Sequence, residues 1–174
     1  GESAFPGNGA QRGVNIRAIS MTGGVSRVVH AFSGPQHAAV QPSLSPDGSL
    51  MVWAQIGSMR ENWGIVVARA ENPERACRLT PLEMSAYAPR WLPDGRRIVC
   101  TAYRAGDPGW CVYLLEPIEG TCRRLAVGKN PAVSPDGKTF VYDRDGGLYR
   151  ADLAACLKAS ECIRLPPDSI QEAV

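Results

Sequence analysis

The chain has 174 residues, 19 Lys+Arg against 17 Asp+Glu, 44% apolar residues and 21% charged ones. That length holds one well-buried domain but not two ordinary ones, and the balance is that of a globular chain, not a disordered tail. The cations are scattered, with Arg96-Arg97 and Arg123-Arg124 as isolated pairs, which excludes a nucleic-acid footprint; no apolar run approaches the roughly 18 residues of a membrane span, so a peripheral position is the most a bilayer could offer.

Eighteen Gly and fourteen Pro cut the chain into short pieces, which suits short strands joined by turns. Taken in order, Ser3-Ala4-Phe5 reads as the tail of a strand, and Asn15 to Ser20 and Ser26 to Val29 read as two strands around Gly23-Gly24. A unit then begins at Pro42, with Ser45-Pro46-Asp47-Gly48 followed by strand-like runs at 50–54 and 64–68 and a closing run, Cys77-Arg78-Leu79-Thr80. It recurs with Pro93-Asp94-Gly95, runs at 98–102 and 111–115 and the closing Cys122 to Leu125, and again with Pro135-Asp136-Gly137, runs at 139–142 and 147–151 and the closing Cys162 to Leu165. The Asp-to-Asp steps are 47 and 42 residues, and Trp63 and Trp110 each follow their Asp by 16. The one helix-leaning stretch is Leu153 to Ala159, about two turns.

A period of 40 to 50 residues with four strands per unit is the signature of a β-propeller blade. Pro presets the first corner of each turn, Asp bonds its own following backbone, and Gly supplies the positive φ. The expected fold is therefore all-β, a propeller of four-stranded blades with about three and a half blades present. Leu44, Trp91 and Val133 are expected at equivalent places on the innermost strands. Residues 1–13 form an N-terminal segment, 14–165 the blades and 166–174 a tail. Gly1 in place of Met and the half-blade at 14–29 lead to the expectation of a fragment, whose missing strands come from upstream chain or from a partner subunit.

The six cysteines allow fifteen pairings. Cys111 and Cys122 flank one hairpin and Cys156 and Cys162 a short loop, so these two bridges are expected, with Cys77–Cys100 by elimination. Bridges of this kind imply an oxidising compartment, periplasmic or extracellular. No Cys-x-x-Cys occurs and the only histidines are His30 and His37, which gives zinc little support.

No Gly-x-Ser-x-Gly elbow is present. Asp143-Arg144-Asp145-Gly146-Gly147 has the opening of a calcium loop without its later ligands and reads as a hairpin turn. Asp47, Asp94 and Asp136 read as turn residues and not as a carboxylate cluster. Gly7-Asn8-Gly9 has no strand and helix around it to make a phosphate loop. Of the tryptophans, Trp53 and Trp91 read as core, and Trp63 and Trp110 as the better surface candidates. No catalytic residue, cofactor or metal ligand is expected.

The repeated Pro-x-x-x-Pro-Asp-Gly, its two strands and the Arg-Leu-Thr-like close resemble the TolB-like propeller repeats, also found in propellers of prolyl-oligopeptidase and dipeptidyl-peptidase proteins. The resemblance spans residues 14 to 165. It implies a non-catalytic protein-binding scaffold or docking subunit of a larger periplasmic or extracellular assembly. The alternative it implies is the propeller portion of a serine peptidase or other hydrolase whose catalytic domain lies outside these residues.

Overall fold

The structure, a computed structural model, describes residues 15–20, 22–31, 38–56, 62–160 and 162–164. It is a row of antiparallel sheets packed face to face. β1 (Asn15–Ala18) and β2 (Arg27–Ala31) form a two-stranded sheet; β3 (Ala38–Leu44), β4 (Leu50–Ile56), β5 (Gly64–Arg69) and β6 (Asn72–Arg78) form the first full blade in that order. The second blade is β7 (Ser85–Trp91), β8 (Ile98–Tyr103), β9 (Cys111–Glu116) and β10 (Thr121–Val127); the third is β11 (Lys129–Val133), β12 (Thr139–Arg144) and β13 (Gly147–Asp152). A helix, α1 (Leu153–Ala159), follows, and then β14 (Cys162–Arg164). Residues 1–14, His37 and the tail from Leu165 lie outside the described residues.

The propeller expectation holds. Leu44, Trp91 and Val133 each end an innermost strand and pair with Met51, Ile98 and Phe140, four residues past their own turn Asp. The Pro-Asp-Gly turns are built alike: Gly48, Gly95 and Gly137 have φ of 75°, 67° and 69°. Each donates its N–H to the carbonyl three residues back, and each Asp accepts from the N–H two residues on (Ser49, Arg96, Lys138). A Cβ on Gly137 would stand 3.4 Å from the Pro93 ring and one on Gly95 3.7 Å from that of Pro46, so the turns also stack blade on blade. Asp145-Gly146, both at positive φ (49° and 78°), make the two-residue hairpin between β12 and β13.

Three apolar layers hold the row. Ile16 and Val29 of the half-blade pack on Ala39, Met51, Trp53, Val66 and Ala68. Val52, Ala54, Ile65 and Val67 meet Ile98, Cys100, Tyr113 and Leu115 between the first and second blades. Leu92, Val99, Val112 and Leu114 meet Phe140, Tyr142 and Ala151 between the second and third. Alternation along each strand makes this possible, because successive residues face opposite neighbours.

One expectation is corrected. The closing run at Cys162 does not complete the third blade; β14 pairs with β10, Cys122 opposite Ile163, as a fifth strand of the second blade. The cause is the connection. Two residues join β5 to β6 and four join β9 to β10, but nine separate β13 from β14. The first seven form α1, whose first turn is capped by Asp152 accepting from the Ala155 N–H at 2.8 Å. Leu153 is buried, and Cys156 and Leu157 pack with Leu125 and Ala126 of β10, so the helix carries the chain back to the second blade.

Candidate functional site

Each innermost strand carries a bulge immediately before its second-residue pair: the register breaks between Val40 and Ser43, Tyr87 and Arg90, and Lys129 and Ala132. The residue preceding proline is left-handed in all three, with φ of 57° at Gln41, 51° at Ala88 and 51° at Asn130. The twisted backbone turns an N–H toward the preceding blade. Ala88 N–H donates to Gln41 Oε1 at 2.8 Å and Asn130 N–H to Thr101 Oγ1 at 2.8 Å. These are bonds between blades, and sequence reading missed them although Gln41-Pro42, Ala88-Pro89 and Asn130-Pro131 stand at matching places in the repeat. Thr101→Val removes the fully buried acceptor of the N–H of exposed Asn130, and a loss of about 0.5–1.5 kcal/mol in urea unfolding is expected.

The third blade presents the same face with nothing on it among the described residues. Val52, Val99 and Val141 are equivalent, five residues past their turn Asp; the first two are 0% and 1% exposed and Val141 is 43% exposed. In the first blade Val52 pairs with Val67 and Ala54 with Ile65; in the second Val99 pairs with Leu114 and Thr101 with Val112. In the third Val141 pairs with Arg150 and Asp143 with Leu148. Two uncharged positions of an interblade face are thus charged in the third blade, and Leu148 is 84% exposed. Asp143 accepts from Asn130 Nδ2 at 2.5 Å, at the position where Thr101 takes the next blade's N–H. On the other face of β13 Tyr149 stacks on Tyr142, centroids 5.8 Å apart. With β14 on the second blade, β13 is the outer edge of its sheet.

Each turn aspartate is hydrogen-bonded within its own turn. Ser45 Oγ and the Ser49 N–H and hydroxyl all donate to Asp47, holding its carboxyl down at about 2. Ser134 and the Lys138 N–H lower Asp136. At Asp94 partial burial acts upward and is outweighed by bonds from Arg96 and Arg97. A depressed folded pKa contributes stability above the ordinary carboxylate range that is lost as pH falls through the depressed one. Carboxyl carbon titration should therefore find all three below the usual value of about 3.9, Asp47 lowest.

The cysteine pairings are corrected. All six cysteines are thiols. Cys111 stands opposite Val127 and Cys122 opposite Leu115, so the two lie toward opposite ends of one hairpin, beyond the reach of a disulfide. Cys156 packs under α1 against the third blade's layer, whereas Cys162 is exposed on β14. Cys100 is buried on β8 with Cys122 as its electrostatic neighbour, and Cys77 is on the outer strand of the first blade. Burial, reinforced by Asp107, raises Cys111 to about 11; burial raises Cys122 to about 12 and Cys100 further. In native protein, iodoacetamide should label Cys162 and spare Cys100, Cys111 and Cys122 until the chain unfolds, as read by peptide mass spectrometry.

Trp53 is fully buried, and Trp63 and Trp91 pack on the layer between the first and second blades. The Trp91 indole N–H is buried with no hydrogen-bond partner among the described residues. Trp110 stands edge-on to Tyr87 at 5.1 Å and beside Tyr103 at 5.9 Å. Among the described residues no group of three or more His, Cys, Asp or Glu is placed to hold a metal, and no helix is long and apolar enough to cross a membrane.

No family model and no curated protein matches the chain. Solved structures do. TolB of Agrobacterium tumefaciens superimposes with a TM-score of 0.66 at 19% identity over 87% of this chain, and TolB of Acinetobacter baumannii with 0.63 at 23% over 87%. The fold is that of a TolB-like β-propeller. An oligogalacturonate lyase in complex with manganese is similar at a TM-score of 0.57, with 20% identity over 87% of this chain. The chain spans 57%, 37% and 41% of those three. At such identities the TolB-like likeness is one of fold.

Proposed function

We propose that this TolB-like propeller chain is a non-catalytic protein-binding module, a docking subunit of a larger periplasmic or extracellular assembly, and that it docks through the third blade. The observation that carries this is β13, an edge strand with Leu148 84% exposed. Natural sheets cover or charge such an edge, and a partner strand adds to it by main-chain pairing, with side-chain contacts giving specificity. The partner's strand places an apolar residue beside Leu148 and an acidic one beside Arg150. Thiols at all six cysteines remove the disulfide ground for an oxidising compartment; the location rests on the TolB-like resemblance.

Photo-crosslinking tests the docking. A benzophenone amino acid at Leu148 should capture one discrete protein, and the same group at exposed Glu74 of the first blade should not. The captured protein, purified, should bind the chain at least about tenfold more weakly after Leu148→Glu, since one unpaired apolar-to-charge change at an interface costs more than the 1.4 kcal/mol of a decade. Equal capture at both positions, or unchanged binding by the variant, contradicts it.

A further inference from the structure

We propose that a cavity on the rim of the second blade, lined by Arg104 and Arg124, binds a carboxylate. The cavity, about 340 Å³, lies between the upper half of β10 and the end of α1, with Tyr113, Val127, Ser160 and Ile163 completing its walls. Its floor is ordered by Asp107, whose side chain is 2% exposed. Asp107 accepts from the Arg104 N–H at 2.8 Å, from Tyr113 Oη at 2.9 and 3.0 Å and from Arg124 Nη1 at 2.9 Å.

Two features point to a ligand. Asp107 neutralises one of two guanidinium groups, leaving one net positive charge at a walled site. Arg104 Nε is buried and has no hydrogen-bond partner among the described residues; a buried cationic donor without an acceptor is costly, and a ligand oxygen would satisfy it. A planar guanidinium matches the two oxygens of a carboxylate, and one net charge suits a monoanion better than a phosphate. The cavity sits at the small end of ligand pockets, which suits a small organic acid or the C-terminus of a peptide. The seven-residue connection from Arg104 to Trp110 builds it; the third blade's two-residue turn at the equivalent place builds nothing similar.

The test titrates the whole chain with propionate and with acetyl-Ala-Ala-Ala, against propionamide and the peptide's C-terminal amide, following the arginine Nε–H resonances. Saturable movement of the Arg104 resonance by a carboxylate and not by its amide is expected. Saturation by propionate as well as by the peptide assigns a small acid; saturation by the peptide alone assigns a C-terminus. Arg104→Gln should weaken binding at least about tenfold, and the amide controls hold on the unaltered chain whether or not the variant folds. Equal movement by the amides, no saturation, or tighter binding of inorganic phosphate overturns the proposal.

Discussion

Trp53→Ala should destabilise the chain by about 3–5 kcal/mol in denaturant unfolding, the largest loss of any single truncation proposed for the first blade. Trp53 is fully buried in the layer that joins the half-blade to that blade, where Ile16 of β1 and Val29 of β2 share its cluster with Ala39, Met51 and Val66. Its indole N–H donates to Gln55 Oε1 at 2.8 Å, so removal strands an acceptor as well as opening a cavity. The two-stranded sheet has little else to hold it, since a lone hairpin is marginal in water. Loss of Trp53 should therefore also raise amide exchange in β1 and β2 before the second and third blades respond. A loss below about 1 kcal/mol, or uniform exchange across all blades, would mean that the half-blade does not pack on Trp53.

Asp107→Ala is expected to cost about 2–4 kcal/mol. The carboxylate is nearly inaccessible and accepts from three donors, with the single Tyr113 O–H straddling both of its oxygens. Bonds to a charged group contribute about 1.5–3 kcal/mol each but do not add, and Arg124 is 45% exposed on its side chain, so water recovers part of its share. Burial first and then its bond to Asp107 raise the pKa of the Tyr113 hydroxyl, which loses its acceptor without Asp107. Two readouts separate this from a mere packing loss. Arg124, whose pKa the Asp107 bond raises, should become mobile, and Cys111 should titrate below about 11 because Asp107 no longer opposes its thiolate. Both checks use nuclear magnetic resonance on the folded variant.

The repeat made most of the fold legible. Pro46, Pro93 and Pro135 with their following Asp and Gly mark the same turn three times, and the strands that flank them could be placed because turn chemistry is local. The partner of Cys162 to Arg164 was not legible, since strand pairing across α1 depends on where Leu153, Cys156 and Leu157 find an apolar surface. The disulfides failed for a related reason: Cys111 and Cys122 are near in sequence around a hairpin, but register places them toward opposite ends of it. The third blade's uncovered face was readable in part. Asp143 and Arg150 stand where Thr101 and Leu114 stand one repeat earlier, a change from uncharged interblade residues to charged ones. The Arg104 cavity left no sequence signal beyond a long connection, because its walls come from β9, β10, α1 and β14 together.

Everything proposed for the third blade rests on β14 lying on the second. Residue-resolved amide exchange of the native chain decides it. With β14 paired to β10, those amides of the Thr121–Arg123 stretch that point away from β9 are protected by a second strand, and the outward amides of β13 exchange orders of magnitude faster than those of β9. Adding the protein captured at Leu148 should then slow β13 alone. Protection along both sides of β13 in the isolated chain, with an unprotected outer edge on β10, would place β14 on the third blade and leave no open strand for a partner.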